Sequence, residues 1–164
     1  MEKIKWGIIG PGNIANNFAD GLKGSYSGQL VSIASKSEDR RKNFGDKYDI
    51  HPDFRFDSYE DIINSEHIDA IYISTPHTLH AEWTIKAAGK GKHILCEKPG
   101  AINFNEGKKI IDAVREAGVF YMEGFMYRCH PQIPKLVDII KNKIIGDVIS
   151  VETSFGFDMG KTIP

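Results

Sequence analysis

Short apolar runs alternate along the chain with segments whose apolar residues recur at helical spacing. The runs predicted as strands are residues 4–9, 30–34, 70–73, 93–96 and 119–122, with a shorter run at 54–56. Most of them are apolar almost throughout, which is typical of strands whose two faces are both covered. Strand and helix in repeated alternation predict right-handed crossovers and a parallel sheet. The predicted fold class is therefore α/β, a doubly wound parallel sheet.

The helical segments carry their own start and stop signals. One helix is predicted from about Asn13 to Lys23, and Ser58 begins a second, short one as its N-cap. A third helix is predicted to bury one apolar stripe and to end at Gly118. The residues of that stripe are Phe104, Gly107, Ile110, Ile111 and Val114.

The pattern changes near residue 131. Pro131 suits the first turn of a helix whose apolar stripe reaches Ile144, and Gly146 is predicted to end it. Residues 148–155 then alternate partly and are predicted to form a strand, which needs a pairing partner. We therefore expect a complete first domain at 1–123, an interdomain segment and helix at 124–146, and at 147–164 the first strand of a truncated α+β sheet domain.

Composition narrows the class of protein. Of 164 residues, 41% are hydrophobic and 26% charged, which is ordinary for a globular chain. The 21 basic and 22 acidic residues give a net charge of −1, so nothing favours nucleic acid. No apolar run approaches the roughly 20 residues of a membrane span. The first residues lead into a strand rather than a signal peptide, and two cysteines form no spaced framework, so a cytoplasmic location is expected.

A glycine-rich loop follows the first predicted strand. Gly10 and Gly12, with Ala15 three residues later, match the dinucleotide-binding pattern G-x-G-x-x-G/A. Gly10 permits the tight turn, and Gly12 lets the backbone approach a pyrophosphate, which would lie against the helix amides of Asn13 and Ile14. The alternative is a strand–helix turn without a ligand. The strand–loop–helix context favours a dinucleotide site.

The end of the second predicted strand indicates which dinucleotide binds. An NAD site usually places a carboxylate there, on the ribose 2′-hydroxyl, whereas this chain has Ser35, Lys36 and, one turn on, Arg40. A hydroxyl and two cations suit a 2′-phosphate, so NADP is favoured and NAD remains an option. Glu38 and Asp39 keep open the alternative that this is only a solvated loop.

Three further motifs, taken with the glycine loop, carry a family resemblance. They are Ser74–His80 (STPHTLH), Glu97–Pro99 (EKP) and Glu123–Pro131 (EGFMYRCHP). Over the entire chain the sequence resembles the glucose–fructose oxidoreductase / inositol 2-dehydrogenase family. It is most similar to the NADP-using branch that includes dimeric dihydrodiol dehydrogenases. The resemblance implies a Rossmann-type domain followed by an open-faced β-sheet domain.

The resemblance also assigns roles to residues at the ends of the predicted strands, where ligands of parallel sheets bind. Lys98 is the expected catalytic residue, reaching the nicotinamide and the reacting carbon, and Glu97 is expected to orient the nicotinamide ribose. The Lys98–Pro99 bond is expected to be cis. Further expected cofactor contacts are Thr75, Pro76, His77, His80 and Arg128. The alternatives are a surface role for Lys98 and a packing role for Arg128, and a metal at His77 and His80 is disfavoured because no third ligand follows.

The expected function is hydride transfer between NADP and a carbinol carbon of a sugar, polyol or cyclic diol. The resemblance implies that a residue of the second domain completes the catalytic set and that the full-length protein forms homo-oligomers through that domain. This chain alone is expected to bind cofactor without turnover. The alternative is a non-catalytic dinucleotide-binding regulator of the same fold. The presence of Lys98 favours the enzyme.

Overall fold

The computed structural model describes residues 2–156 and contains one six-stranded parallel sheet. The strands are β1 (Ile4–Ile9), β2 (Gly28–Ala34), β3 (Arg55–Phe56), β4 (Ala70–Ile73), β5 (His93–Cys96) and β6 (Tyr121–Glu123). The α-helices are α1 (Asn13–Lys23), α2 (Glu38–Lys47), α3 (Tyr59–Asn64), α4 (His80–Ala88), α5 (Phe104–Ala117) and α6 (Gln132–Lys141). This architecture confirms the predicted doubly wound parallel sheet.

The order of the strands across the sheet is β3-β2-β1-β4-β5-β6. The chain therefore builds outward from β1 to β3, returns to β4 on the other side of β1, and continues to β6. The direction of winding reverses between β1 and β4. In open parallel sheets the crevice at such a reversal, beyond the carboxyl ends of the strands, is where ligands bind.

The sheet is buried on both faces, which explains its continuous apolar runs. Ile8 and Ile9 are neighbours in β1 and have no exposed surface. Because successive strand residues point to opposite faces, Ile8 packs with Ala15 of α1 and Phe44 of α2, whereas Ile9 packs with residues of α3 and α4. Ile8 and Ile9 thus contribute to opposite apolar layers of the domain.

Helix α5 departs from its predicted burial. Ile110 is 2% exposed, but Phe104 is 82% exposed and Ile111 39% exposed, so the predicted stripe is buried only in part. The physical reason is that β6 is the edge of the sheet, and no further strand of the described residues lies beside it. The uncovered apolar residues of α5 and β6 instead line an open groove of about 540 Å³. The helix ends at Gly118, as predicted, with φ of +64°.

Residues 126–156 belong to a second unit, which is separate from the unit formed by residues up to 125. Its helix α6 begins next to Pro131, as expected, but ends at Lys141 instead of the predicted Gly146, because residues 142–145 form turns. The strand predicted at 148–155 is not formed, since residues 148–156 have no regular structure. A strand needs a backbone partner, and none of the described strands pairs with this segment. Residues 157–164 of the predicted second-domain segment lie outside the described residues.

Across residues 2–156, every helix is too short or too polar to cross a bilayer.

Candidate cofactor-binding and active site

The glycine loop lies at the carboxyl end of β1, at the reversal of the sheet. Gly10 has φ of +88°, a conformation that L side chains rarely adopt. A Cβ atom at Gly10 would also lie 3.0 Å from the carbonyl oxygen of Ser74. The Ser74 hydroxyl donates a 2.7 Å hydrogen bond to the Gly10 carbonyl oxygen. The loop is therefore fixed against the end of β4, and the fold itself requires glycine at position 10.

Gly12 differs from Gly10 in its surroundings. Its φ of −91° and ψ of −170° are open to any residue. Apart from its chain neighbours, no atom of residues 2–156 would lie within 4 Å of a Cβ atom there. Neither the backbone nor the packing of this chain therefore explains a glycine at position 12. The open space above it does fit the close approach of a pyrophosphate, as the sequence pattern predicts.

Like α4 and α6, helix α1 begins without a side-chain cap. Gly12 is its N-cap and supplies no side-chain hydrogen bond, and its first turn contains no acidic residue. Helices α2, α3 and α5 are each capped by a side chain, from Ser37, Ser58 and Asn103 respectively. First-turn amides such as those of Asn13 and Ile14 have no intrahelical acceptor. These uncapped amides, at the positive end of the helix dipole, fit an anionic phosphate.

The loop after β2 and the first turn of α2 carry the residues predicted to bind a 2′-phosphate. Ser35 is 4% exposed, and its hydroxyl accepts a 3.2 Å hydrogen bond from the Ser37 amide. Lys36 is exposed, with its ammonium 5.8 Å from the centre of the Tyr59 ring. Burial raises the pKa of Tyr59, while the charge of Arg40 acts in the opposite direction. Lys36 and Arg40 therefore both place positive charge near the Tyr59 ring.

Arg41 was not predicted as part of this loop. Its guanidinium donates a 2.7 Å hydrogen bond to the carbonyl oxygen of Ser35 and so holds the end of β2. The sequence contains two adjacent arginines, Arg40 and Arg41. Only the direction of each side chain in α2 shows which of them binds the backbone of the loop.

The loop after β4 contains Thr75, Pro76 and His77, followed by His80 at the beginning of α4. Thr75 is 7% exposed, and its hydroxyl has no hydrogen-bond partner among the described residues. Pro76 and His77 are exposed at the carboxyl edge of the sheet. The position of these residues agrees with a ligand-facing loop, and their contact with a cofactor stays a prediction.

The prediction for His80 needs correction. Its side chain has no exposed surface, so it cannot contact a ligand in this conformation. One ring nitrogen lies 2.8 Å from the carbonyl oxygen of Thr75, and the other lies 2.8 Å from that of Pro99. His80 is thus a bridge between the loops that follow β4 and β5. No local sequence pattern predicts these contacts, which hold His80 between the two loops. His80 is therefore a positioning residue instead of a cofactor contact.

The loop after β5 carries Glu97, Lys98 and Pro99. The Lys98–Pro99 peptide bond is cis, as predicted, and the Lys98 side chain is exposed. Glu97 is half-buried, and its carboxylate accepts a 2.7 Å hydrogen bond from the hydroxyl of Tyr72 in β4. The three loops after β1, β4 and β5 therefore form one edge, linked by the bonds of Ser74, His80 and Tyr72.

Glu123 is a further residue that was not singled out. It ends β6, and its carboxylate accepts a 2.8 Å hydrogen bond from the amide of Gly100. This bond holds the segment after Pro99 from the other side. A charged residue at the end of a predicted strand is the available signal in the sequence.

Two further sequence predictions concern a cofactor contact of Arg128 and a metal at His77 and His80. Arg128 lies in the second unit, in a 3₁₀ turn at Met126–Cys129, and its contact with the cofactor stays a prediction. His77 and His80 contact each other edge to face, with ring centres 5.5 Å apart. Within residues 2–156, no three His, Cys, Asp or Glu side chains come together in a way that could hold a metal ion.

A parallel sheet with a glycine loop and an uncapped helix at its reversal defines a dinucleotide-binding domain of the Rossmann class. Residues 4–125 match the model of the GFO/IDH/MocA oxidoreductase family, described as an NAD-binding Rossmann fold. The chain therefore belongs to this family, which confirms the resemblance found in the sequence.

Similar proteins include two with curated names. The chain is 33% identical over 159 residues to a trans-1,2-dihydrobenzene-1,2-diol dehydrogenase of Xenopus tropicalis, covering 96% of this chain and 48% of the relative. It is 34% identical over 154 residues to a D-xylose 1-dehydrogenase (NADP(+)) of Haloferax volcanii, covering 94% and 46% respectively. The chain thus spans about half the length of the curated relatives it matches.

The fold is also similar to solved structures. One is a 3-ketoreductase from Actinomadura kijaniata in complex with TDP-benzene and NADP, with a TM-score of 0.79 and 32% sequence identity. That match covers 88% of this chain and 45% of the other chain.

Proposed function

We propose that the full-length protein is an NADP-preferring oxidoreductase. It transfers a hydride between nicotinamide and a carbinol carbon of a sugar, a polyol or a cyclic diol. The observation that carries the proposal is the position of Lys98, which is exposed at the edge formed by the three loops, next to a carboxylate held by Tyr72. The relatives named as diol dehydrogenase, xylose dehydrogenase and ketoreductase support this reaction class.

The bound nicotinamide would supply the hydride chemistry. The residues of this chain bind and orient the cofactor and stabilise charge on the reacting groups. The amides at the beginning of α1 hold the pyrophosphate, and Glu97 accepts hydrogen bonds from the nicotinamide ribose. The ammonium of Lys98 stabilises the negative charge that develops on the substrate oxygen, or exchanges a proton with it. In either role it acts on the transition state more than on the ground state.

The preference for NADP rests on the loop after β2. Ser35, Lys36 and Arg40 present a hydroxyl and two positive charges, and no carboxylate directly follows the strand. Each charge-assisted hydrogen bond to a 2′-phosphate contributes about 1.5–3 kcal/mol. Two such bonds make NADP⁺ at least about tenfold tighter than NAD⁺.

The test is calorimetric titration of the chain and of its Ser35→Asp variant with both cofactors. The new carboxylate repels the 2′-phosphate and accepts from the free 2′-hydroxyl, so the variant is expected to prefer NAD⁺. Ser65→Asp is the matched control: it adds the same charge in the loop before β4, at the amino ends of the strands. Equal dissociation constants for NADP⁺ and NAD⁺ in the unmodified chain would contradict the proposed preference.

The remaining parts of the proposal concern the longer protein. We infer that residues 147–164 begin a second sheet domain, which supplies the substrate pocket and the surface for homo-oligomers. A cytoplasmic location is inferred because Cys96 and Cys129 are both free thiols. Light scattering of the longer protein tests the oligomer, and cell fractionation tests the location.

A further inference from the structure

Tyr72 is a buried residue of the site to which the sequence pattern assigns no role. It lies in β4 and is 2% exposed. Its ring stacks on Phe18 of α1, with centres 4.1 Å apart, and Phe18 in turn meets Trp6 of β1 edge to face at 5.2 Å. This aromatic column joins the central strands to the helix whose first turn faces the phosphate site.

The hydroxyl of Tyr72 reaches the neighbouring strand. In the parallel register Tyr72 pairs with Leu95 of β5, and Glu97 lies two residues beyond Leu95 on the same face. The long phenol side chain spans that offset and donates a 2.7 Å hydrogen bond to Glu97 Oε1. The bond therefore joins the interior of the sheet to the first residue of the loop that carries Lys98.

The carboxylate of Glu97 is held on more than one side. Its Oε2 atom accepts a 3.3 Å hydrogen bond from the amide of Lys98. The backbone of Gly124 passes so close that a Cβ atom there would lie 3.2 Å from Oε1. These contacts restrict the rotation of the carboxylate and leave its remaining lone pairs as acceptors for a ligand.

The direction of the hydrogen bond is also fixed. Burial raises the pKa of the Tyr72 phenol well above its usual range, and the bond to Glu97 raises it further. The phenol therefore keeps its proton near neutral pH and donates a hydrogen bond to the Glu97 carboxylate. Glu97 consequently faces the site with Oε1 already accepting one hydrogen bond.

We propose that Tyr72 is the positioning residue that orients Glu97 toward the ribose hydroxyls of the nicotinamide half of the cofactor. The inference rests on the proposed function, because it requires the carboxylate to accept from that ribose. Through Phe18 the same side chain also packs against α1, so the phosphate site and the ribose site share one rigid support.

The experiment compares two probes on the 164-residue chain. NADP⁺ contains the nicotinamide ribose, whereas adenosine 2′,5′-bisphosphate contains only the 2′-phosphate end. Tyr72→Phe keeps the stacked ring and removes one hydroxyl. It is expected to weaken NADP⁺ binding about tenfold, the scale of one hydrogen bond to a charged group, and to leave bisphosphate binding within about twofold.

Two further variants separate positioning from general damage. Tyr48→Phe is the matched control: its hydroxyl also donates, to Asn16 Oδ1 at 2.9 Å, but lies away from Glu97, so no probe-selective loss is expected. In a Glu97→Ala background, adding Tyr72→Phe is expected to cause no further loss of NADP⁺ affinity. Should Tyr72→Phe fail to fold, Glu97→Gln is expected to show the same probe-selective loss.

The outcomes distinguish the inference from the function on which it rests. If Tyr72→Phe weakens both probes equally, or leaves NADP⁺ binding unchanged, Tyr72 does not position Glu97, and the cofactor assignment stands. If Tyr72→Phe and Glu97→Ala weaken NADP⁺ additively, the two residues act independently and the inference fails. If the unmodified chain binds neither probe, the proposed function itself is wrong.

Discussion

Gly10 and Gly12 lie two residues apart in one loop, yet they are glycine for different physical reasons. Gly10 combines a positive φ with a crowded Cβ position against Ser74, whereas a Cβ atom at Gly12 would enter open space. The fold requires the first glycine, whereas the second is expected to be needed for the close approach of a ligand. The same substitution at the two positions therefore separates stability from binding.

Gly10→Ala is expected to lower the free energy of unfolding by about 1–3 kcal/mol, the cost of an L residue in a disfavoured conformation. Gly12→Ala is expected to change stability by less than about 0.5 kcal/mol and to weaken NADP⁺ binding at least about tenfold, since its methyl group occupies the pyrophosphate position. Denaturant melts measure the free energy of unfolding, and calorimetry measures the affinity for NADP⁺. A Gly12→Ala variant with unchanged affinity would show that no phosphate lies above the loop.

The two cysteines also differ in their surroundings. Cys96 has no exposed surface, and burial raises the pKa of its thiol to about 12, whereas Cys129 is exposed. Because the thiolate is the reactive form, iodoacetamide at about pH 8 is expected to modify Cys129 alone in the folded chain. Mass spectrometry should show one adduct under native conditions and two in denaturant. Rapid native modification of Cys96 would contradict its burial.

At the scale of elements, the connection from α3 to β4 is stabilised by one buried ammonium. Lys92 precedes β5, is 9% exposed, and donates 2.7 Å hydrogen bonds to the carbonyl oxygens of Ser65 and Ile68. Burial lowers the pKa of Lys92. The Lys92 ammonium thereby supplies these two carbonyl groups with a hydrogen-bond donor, which the short helix α3 and its loop do not provide.

Lys92→Met keeps most of the side-chain volume and leaves both carbonyl groups without this donor. The expected loss of stability is about 1–3 kcal/mol, the cost of buried unsatisfied polar groups. Lys90→Met, at an exposed position of the same loop, is the matched control and should change stability by less than about 0.5 kcal/mol. Equal melting curves for the two variants would show that the Lys92 bonds contribute nothing.

At the scale of the whole molecule, the cofactor site and the reaction are expected to need different lengths of chain. All predicted cofactor contacts except Arg128 lie in the unit formed by residues up to 125. The relatives are about twice as long, and the proposed substrate pocket belongs to their second half. The 164-residue chain is therefore expected to bind NADP⁺ and to show no turnover.

Lys98→Met tests the chemistry in the longer protein. Removing the ammonium is expected to lower kcat about a hundredfold or more, the scale of positioned acid–base or electrostatic catalysis. Cofactor affinity should change by less than about threefold, because the phosphate contacts lie in other loops. The measurements are absorbance of the reduced nicotinamide over a panel of sugars, polyols and diols, and calorimetry. Normal turnover in the variant would exclude Lys98 from the mechanism, and turnover by the 164-residue chain would contradict the two-domain proposal.

Much of the sheet could be predicted from sequence because its signals are local. β1, β4 and β5 begin and end at the predicted residues, since each is a largely apolar run bounded by polar or glycine residues. The glycine loop at Gly10 and Gly12 could also be predicted, because its pattern lies within a few residues. The partial exposure of the α5 stripe was not predicted, because it depends on β6 being the edge of the sheet.

The sequence by itself determined the order of strands and helices, the glycine loop, and the set of polar residues at the strand ends. The periodicity of apolar residues and the backbone preferences of glycine act over a few residues, so they can be read directly from the sequence. Only the tertiary structure decided that His80 bridges two loops, that Arg41 rather than Arg40 binds the backbone of Ser35, and that Tyr72 holds Glu97. Those bonds depend on strand register and side-chain direction, because they join residues that meet only when the sheet is assembled.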